Sequence, residues 1–352
     1  MINNVLLYPF IKEMFPLIQA FKLFNINYDV FSYSNSKLIN KDISTLTNME
    51  KLGVNIKDIS KANLDNYDYC YIPKLKENWL INSQICDFIS QLKNKGIKVY
   101  NGNLEDDGGQ DELPLYNDAL SKLTNNFSNL ANQITENRNY LHTICKPIFF
   151  IAQAQEFLDT EYLVLLTKKI LEEEGFKVVT ISGRKHLRLF NCLNYPEDFL
   201  SNSLSFSEKV LRLNHFIKAI EIKEIPDVFV LEVPGTVLRY SKYDLNFPEY
   251  PYIFREALNC NFIMLNLSVK YATTDQIEHI LILCKNIFGY DIDLLNISNN
   301  ITVFEQERKK TTYLYSENVK KILLNLNNNS NIPIIQAFAP ESKATILNNI
   351  YK

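Results

Sequence analysis

Few groups in this chain could carry chemistry, and they cluster. Gly183-Arg-Lys-His-Leu-Arg188 places four potentially cationic side chains within five residues at a strand exit, where they suit a phosphate or an acidic peptide, or form a solvated loop. Glu156, Asp159 and Glu161 gather where a strand turns into a helix. Glu232 stands at the end of the apolar run Val228-Phe-Val-Leu-Glu-Val233. A carboxylate there can position a divalent ion, with Glu156 as a second ligand, or hydrogen-bond neighbouring backbone. His215 is a general base if Asp227 converges on it; beside Phe216 and Ile217 it reads as a packing residue. The sequence contains no Ser-His-Asp order, no HExxH and no GxGxxG.

The element that must position these groups is a βαβ unit from Cys145 to Ser182. Pro147-Ile-Phe-Phe-Ile151 is an apolar run, Tyr162-Leu163, Leu165-Leu166 and Ile170-Leu171 recur at helical spacing, and Gly175 ends the helix before Phe176-Lys-Val-Val-Thr-Ile181. With the strand at 228–233, this is the element order of P-loop NTPases, whose glycines let backbone N–H groups wrap phosphates while a lysine neutralises them and a hydroxyl holds Mg²⁺. The loop from Ala152 to Thr160 lacks that chemistry. With Ala152 as the first glycine, Phe157, Leu158 and Asp159 fall at the second glycine, the lysine and the hydroxyl; starting from Gln153 instead gives Leu158, Asp159 and Thr160. At about 6 Å and an effective dielectric near 20, each carboxylate repels a phosphate charge by on the order of 2 to 3 kcal/mol before screening. The region therefore reads as a degenerate P-loop-like domain, with Gln153, Gln155, Glu156, Arg184, Lys185, His186, Glu232, Thr236 and Arg239 forming a candidate ligand-binding or peptide-binding rim.

The rest of the chain reads as α/β, with open, mainly parallel sheets. Residues 1–104 form a Rossmann-like N-terminal lobe, 105–144 an acidic hinge and helical connector, and 145–352 the degenerate P-loop-like domain. In the first lobe, Tyr8-Pro9-Phe10 and Pro73-Lys74 lie just past strand ends, on the edge where open sheets bind ligands, unless the prolines merely end strands. Asn103-Leu-Glu-Asp-Asp-Gly-Gly-Gln-Asp-Glu-Leu-Pro114 lacks the alternating ligands of a calcium loop and reads as a solvated hinge. Asn325 to Asn331 reads as a low-complexity loop.

Composition narrows the classes further. The 352 residues are 46% hydrophobic with a net charge of −3, enough to bury substantial cores and without the basic excess that nucleic-acid binding requires. Six scattered cysteines form no CxxC pair and read as reduced thiols, so no metal, cluster or other cofactor is expected. No signal sequence or membrane-length apolar run is evident, which points to the cytoplasm and away from membrane partners.

Several stretches together resemble a family of peptide maturation system proteins from clostridial natural-product clusters. They are Leu6-Leu-Tyr-Pro9 with Lys12-Glu13 and Pro16, Gly175-Phe-Lys-Val178, Asn214-His-Phe-Ile-Lys218 with Ile220-Glu221, Pro226-Asp-Val228, Pro234-Gly235, and Phe288-Gly-Tyr-Asp-Ile-Asp293 with Asn296. The resemblance implies an accessory role in ribosomally synthesised, post-translationally modified peptide (RiPP) biosynthesis. The expected partners are a radical SAM peptide maturase and its Cys-rich precursor peptide. It supplies no catalytic residues. The family loop is richer in small residues than Ala152 to Asp159, so ligand binding there is not carried over. The alternative is an NTP-dependent enzyme or transferase acting in a cleft between two α/β lobes.

Overall fold

The computed structural model describes residues 4–46, 51–73, 75, 79–102, 140–155, 159–238, 249–305, 308–313, 316–327 and 330–351. The chain divides into two compact units, Met1–Asp118 and Ala119–Lys352. The 103–114 segment and most of the 105–144 connector lie outside the described residues, as do Glu156, Arg239 and Lys74.

In the first unit, β1 (Asn4–Leu7), α1 (Phe15–Leu23), β2 (Asn27–Ser32), β3 (Lys57–Asp58), β4 (Tyr69–Ile72), α2 (Trp79–Asn94) and β5 (Lys98–Asn101) build a five-stranded sheet of order β3-β2-β1-β4-β5. Every pairing in it is parallel. The central strands β1 and β4 are almost wholly buried, the continuous apolar pattern that a sheet covered on both faces demands.

The second unit contains β6 (Ile148–Gln153), α3 (Thr160–Glu173), β7 (Val178–Ser182), β8 (Leu193–Asn194), α4 (Glu197–Leu200), α5 (Phe206–Glu224), β9 (Val228–Glu232), α6 (Glu249–Ala257) and β10 (Phe262–Ser268). It continues with α7 (Thr274–Phe288), β11 (Leu294–Ser298), β12 (Asn300–Glu305), β13 (Arg308–Tyr313), α8 (Ser316–Asn327), β14 (Ile334–Ile335) and α9 (Ser342–Ile350). A seven-stranded parallel sheet runs β14-β11-β10-β6-β9-β7-β8, while β12 and β13 form a separate antiparallel ribbon. Both main sheets bear out the open parallel α/β expectation. Strand β6 lies between β9 and β10 with all six of its residues buried, so the turn it feeds emerges from the middle of the C-terminal edge.

Several local expectations shift. Strand β6 runs two residues beyond the apolar run, through Gln153, because Ala152 and Gln153 continue the ladder to Leu265 and Asn266 of β10. Helix α8 continues through Asn327, whose side chain bonds both the N–H and the carbonyl of Ile334, so part of the Asn-rich stretch is helix. Helix α6 and the β12–β13 ribbon were not expected from the periodicity.

The Asn214-His-Phe-Ile-Lys218 motif has a structural role. Asn214 clamps His142 through both its N–H (2.8 Å) and its carbonyl (2.9 Å). Lys218 donates to Thr143 O at 3.0 Å, and Glu221 accepts from Cys145 N at 2.6 Å and Lys146 N at 3.0 Å. His215 is fully buried with its ring nitrogen 3.0 Å from Tyr140 O, while Asp227 accepts from Lys177 N at 2.8 Å. These partners make His215 a fastener for the segment entering β6.

Helix α5 ends on Ile225, a β-branched residue in the left-handed region (φ 47°, ψ 58°), where α7 uses Gly289. Ile225 is 66% exposed, so little burial compensates the crowding of its Cβ. Ile225→Gly is expected to raise unfolding free energy by about 0.5 to 1 kcal/mol, the relief of left-handed strain less the extra chain entropy of glycine. A denaturant midpoint at or below wild type would contradict this.

Candidate functional site

Strand β6 ends at Gln153 and α3 opens at Thr160, which is the strand-to-helix spacing of a phosphate loop whose first glycine is replaced by Ala154. In that register Asp159 replaces the second glycine, Thr160 the lysine and Glu161 the Mg²⁺-binding hydroxyl, one residue beyond the later of the two sequence registers. Each replacement is bonded to the protein itself.

A line of hydrogen bonds crosses the sheet edge at the level of Thr160. Gln153, Asn266 and Asn296 sit in register on β6, β10 and β11. Gln153 donates to Gly235 O at 3.0 Å and accepts from Thr160 Oγ1 at 3.0 Å. Asn266 donates to Thr160 Oγ1 at 2.9 Å and accepts from Asn296 Nδ2 at 2.7 Å, and Asn296 accepts from Ala337 N at 2.7 Å. The backbone is engaged too: Ala154 N donates to Asn266 O at 2.8 Å, and the Gln153 and Ala154 carbonyls accept from Val237 and Leu238 N–H groups at 3.0 Å. An N–H that could face a phosphate is thus already committed.

The carboxylates separate to opposite sides of the α3 N-terminus. Asp159 is 2% exposed and accepts from Asn266 Nδ2 at 3.2 Å. Burial pushes its carboxyl above the ordinary value; hydrogen bonds from Ser298 and Asn266 oppose the shift, and Glu161 adds to it. Glu161 faces the β7 side, where His186 Nε2 lies 2.8 Å and Arg184 Nη1 3.7 Å from its Oε2. Burial pushes Glu161 up, yet the His186 and Arg184 charges and the His186 hydrogen bond outweigh it and hold the group below its ordinary value. Its place in the first turn of α3 also suits the positive end of the helix dipole.

Arg184 bridges this group to Glu232, with Nε 2.7 Å from Oε1, and the Ser182 hydroxyl donates to the other Glu232 oxygen. Glu232 O accepts from the buried Tyr195 hydroxyl at 2.9 Å. The remaining cations of the 184–188 run are also held: Arg188 donates to Asn194, and Lys185 lies 3.4 Å from Glu197. The run, expected as a loop, winds into a 3-10 helix over Lys185–Phe190.

Gln153, Arg184, His186 and Glu232, all in the sequence-predicted rim, therefore meet around the α3 N-terminus. Gln155 turns to β10, its Oε1 accepting from Ser268 N at 3.3 Å, and its buried Nε2 has no partner among the described residues. Thr236 donates to Leu238 O at 2.9 Å in the turn after β9. Sequence reasoning missed Ser182, Asn194, Tyr195, Asn266, Asn296 and Ser298. Their signal was polarity at the ends of apolar strands, where a buried amide or hydroxyl requires a partner. Among the described residues, no group of three or more His, Cys, Asp or Glu side chains could hold a metal ion.

No protein-family model and no curated protein sequence matches the chain. Among solved structures, a DUF1611 family protein from Anabaena variabilis aligns over 99% of this chain and 99% of its own, with a TM-score of 0.53 and 9% identity, a likeness of fold alone. Weaker alignments include chloroplast FtsY from Physcomitrella patens (TM-score 0.33, 13% identity, 76% of this chain and 81% of that one). Another is FlhF complexed with GMPPNP/Mg²⁺ (TM-score 0.30, 14% identity, 93% of each chain). The clostridial peptide maturation family is not among these matches.

Two substitutions test the electrostatics with opposite signs. Glu161→Gln is expected to cost about 3 kcal/mol at neutral pH, because Arg184 and His186 then face a neutral amide. The stability that Glu161 confers is complete above its unfolded value of 4.5 and is lost as pH falls through its lower folded value, so the variant has a flatter acid limb. Asp159 has a raised folded value, so wild type loses stability as pH climbs from 3.8 toward it. Asp159→Asn keeps an acceptor for Asn266 and removes that loss, making it the more stable protein at neutral pH. Urea unfolding across the acid and neutral range reads both effects, and parallel curves for all three proteins would contradict them.

Proposed function

We propose that this chain is a non-hydrolysing binding protein, an accessory of a RiPP maturation system that holds the precursor peptide, the radical SAM maturase or both. The observation carrying the reading is that the positions of a phosphate loop that would bind a nucleotide are filled by side chains satisfied within the protein. A triphosphate here would have to compete with Glu161 and Glu232 for Arg184, leaving buried carboxylates uncompensated. The identity of the partners rests on the family resemblance. Within the rim, Arg184, Lys185 and Thr236 are partly exposed and form the part of it that a partner would meet.

A second reading, an NTP-dependent enzyme or transferase, is favoured by one observation: the strand-to-helix spacing of a phosphate loop is intact. No helix among the described residues is long and apolar enough to cross a membrane, so neither reading invokes a membrane span.

The expected outcome is no rise in melting temperature with Mg·ATP, Mg·GTP, nucleotide sugars or S-adenosylmethionine, alongside capture of precursor or maturase in a pull-down. Lys185→Glu should weaken that capture by roughly tenfold. A nucleotide-dependent rise abolished by Glu232→Ala would favour the enzyme, and capture of neither partner at tens of micromolar would remove the accessory reading.

A further inference from the structure

We infer that the first unit carries a binding site for an organic cation, a protonated amine on an aromatic or apolar body, in a cavity beside the C-terminal ends of β1 and β2. The cavity measures about 550 Å³, ample for a small organic molecule. Tyr8 follows β1 and Tyr33 follows β2, while Gln84, Asp87, Phe88 and Gln91 line it from a single stripe of α2 at helical spacing. The sheet order runs outward from β1 through β2 on one side and through β4 on the other, so the cavity adjoins the point where the winding reverses. Open α/β sheets bind their ligands at that point.

The lining selects the charge. Among the described residues, Asp87 is the one carboxylate of the lining and has no ion pair, and no lysine or arginine lines the cavity. A phosphate or carboxylate ligand would meet Asp87 with no compensating cation among the described lining residues. An ammonium group would find a counter-charge and ring faces that attract cations.

Three rings supply the apolar wall. Tyr8 lies edge-on to Tyr33 at 5.3 Å and to Phe88 at 4.9 Å between centroids. Burial, with smaller contributions from Tyr33 and Cys70, pushes the Tyr8 phenol well above its ordinary value, so its hydroxyl stays a donor throughout the physiological range. The Tyr33 hydroxyl is shielded from solvent without a partner among the described residues, a buried polar group that calls for one. The Gln84 and Gln91 amides provide neutral hydrogen-bonding groups beside Asp87.

Titration of the full-length chain with phenethylamine, phenylethanol and phenylpropionate, followed by calorimetry, tests the site because the three probes share a body and differ in charge. Phenethylamine is expected to bind at least tenfold tighter than phenylpropionate, with phenylethanol between them. Asp87 is solvent-exposed, so Asp87→Asn should fold normally, weaken phenethylamine about tenfold and leave phenylethanol unchanged. Phe88→Ala should weaken both. Phenylpropionate binding as tightly as phenethylamine, unchanged phenethylamine affinity in Asp87→Asn, or no saturable phenethylamine binding would each overturn the proposal. This site lies in the other unit from the α3 N-terminus, and its failure would leave the proposed function standing.

Discussion

The second unit depends on a row of buried amides that must all be satisfied at once. Gln153, Asn266 and Asn296 each occupy an interior position of the seven-stranded sheet, where an unpaired amide costs on the order of 1 to 3 kcal/mol. Their geometry leaves each with partners at both poles: Gly235 and Thr160 for Gln153, Thr160 and Asn296 for Asn266, Asn266 and Ala337 for Asn296. The row ties strand order to helix placement, because Thr160 must sit between two strands for the line to close. It also fixes the opening of the turn after β6, since Ala154 is bonded on both flanks.

A second constraint, electrostatic, lies on the β7 side of the same helix terminus. Glu161 and Glu232 are buried and would be costly alone; Arg184 spans them and His186 completes the group. The chain thus supplies both the anions and the cations of the site. Restoring glycine and lysine to the turn would not by itself recreate a phosphate site. The carboxylates would still hold the arginine, and Thr160 would be missing from the amide row.

Much of the architecture was legible because continuous apolar strands alternate with amphipathic helices, a pattern with one common solution. The degenerate character of the turn was legible too, from bulky and acidic residues standing where small and basic ones belong. Its register was not. The apolar run ends before Gln153, and its pairing with Asn266 on β10, distant in sequence, is what makes that glutamine a strand residue. The amide row likewise joins polar groups across separations of 106, 30 and 41 residues, to which local periodicity is blind. The cationic run at 184–188 suggested an open surface because its counter-ions, Glu161 and Glu232, come from other elements. Helix α6 escaped notice because it is only nine residues long with Pro251 in its first turn, although Tyr250, Ile253, Phe254 and Ala257 recur at helical spacing.

The strap on α5 has a mechanical consequence. Successive turns of the helix, at Asn214, Lys218 and Glu221, hold the backbone from His142 to Lys146 immediately before β6 begins. A pull transmitted along the polypeptide toward β6 would be shared by these anchors in series before reaching the central strand. The sheet edge is thereby insulated from whatever tugs on the preceding chain, much as a cable grip protects a soldered joint.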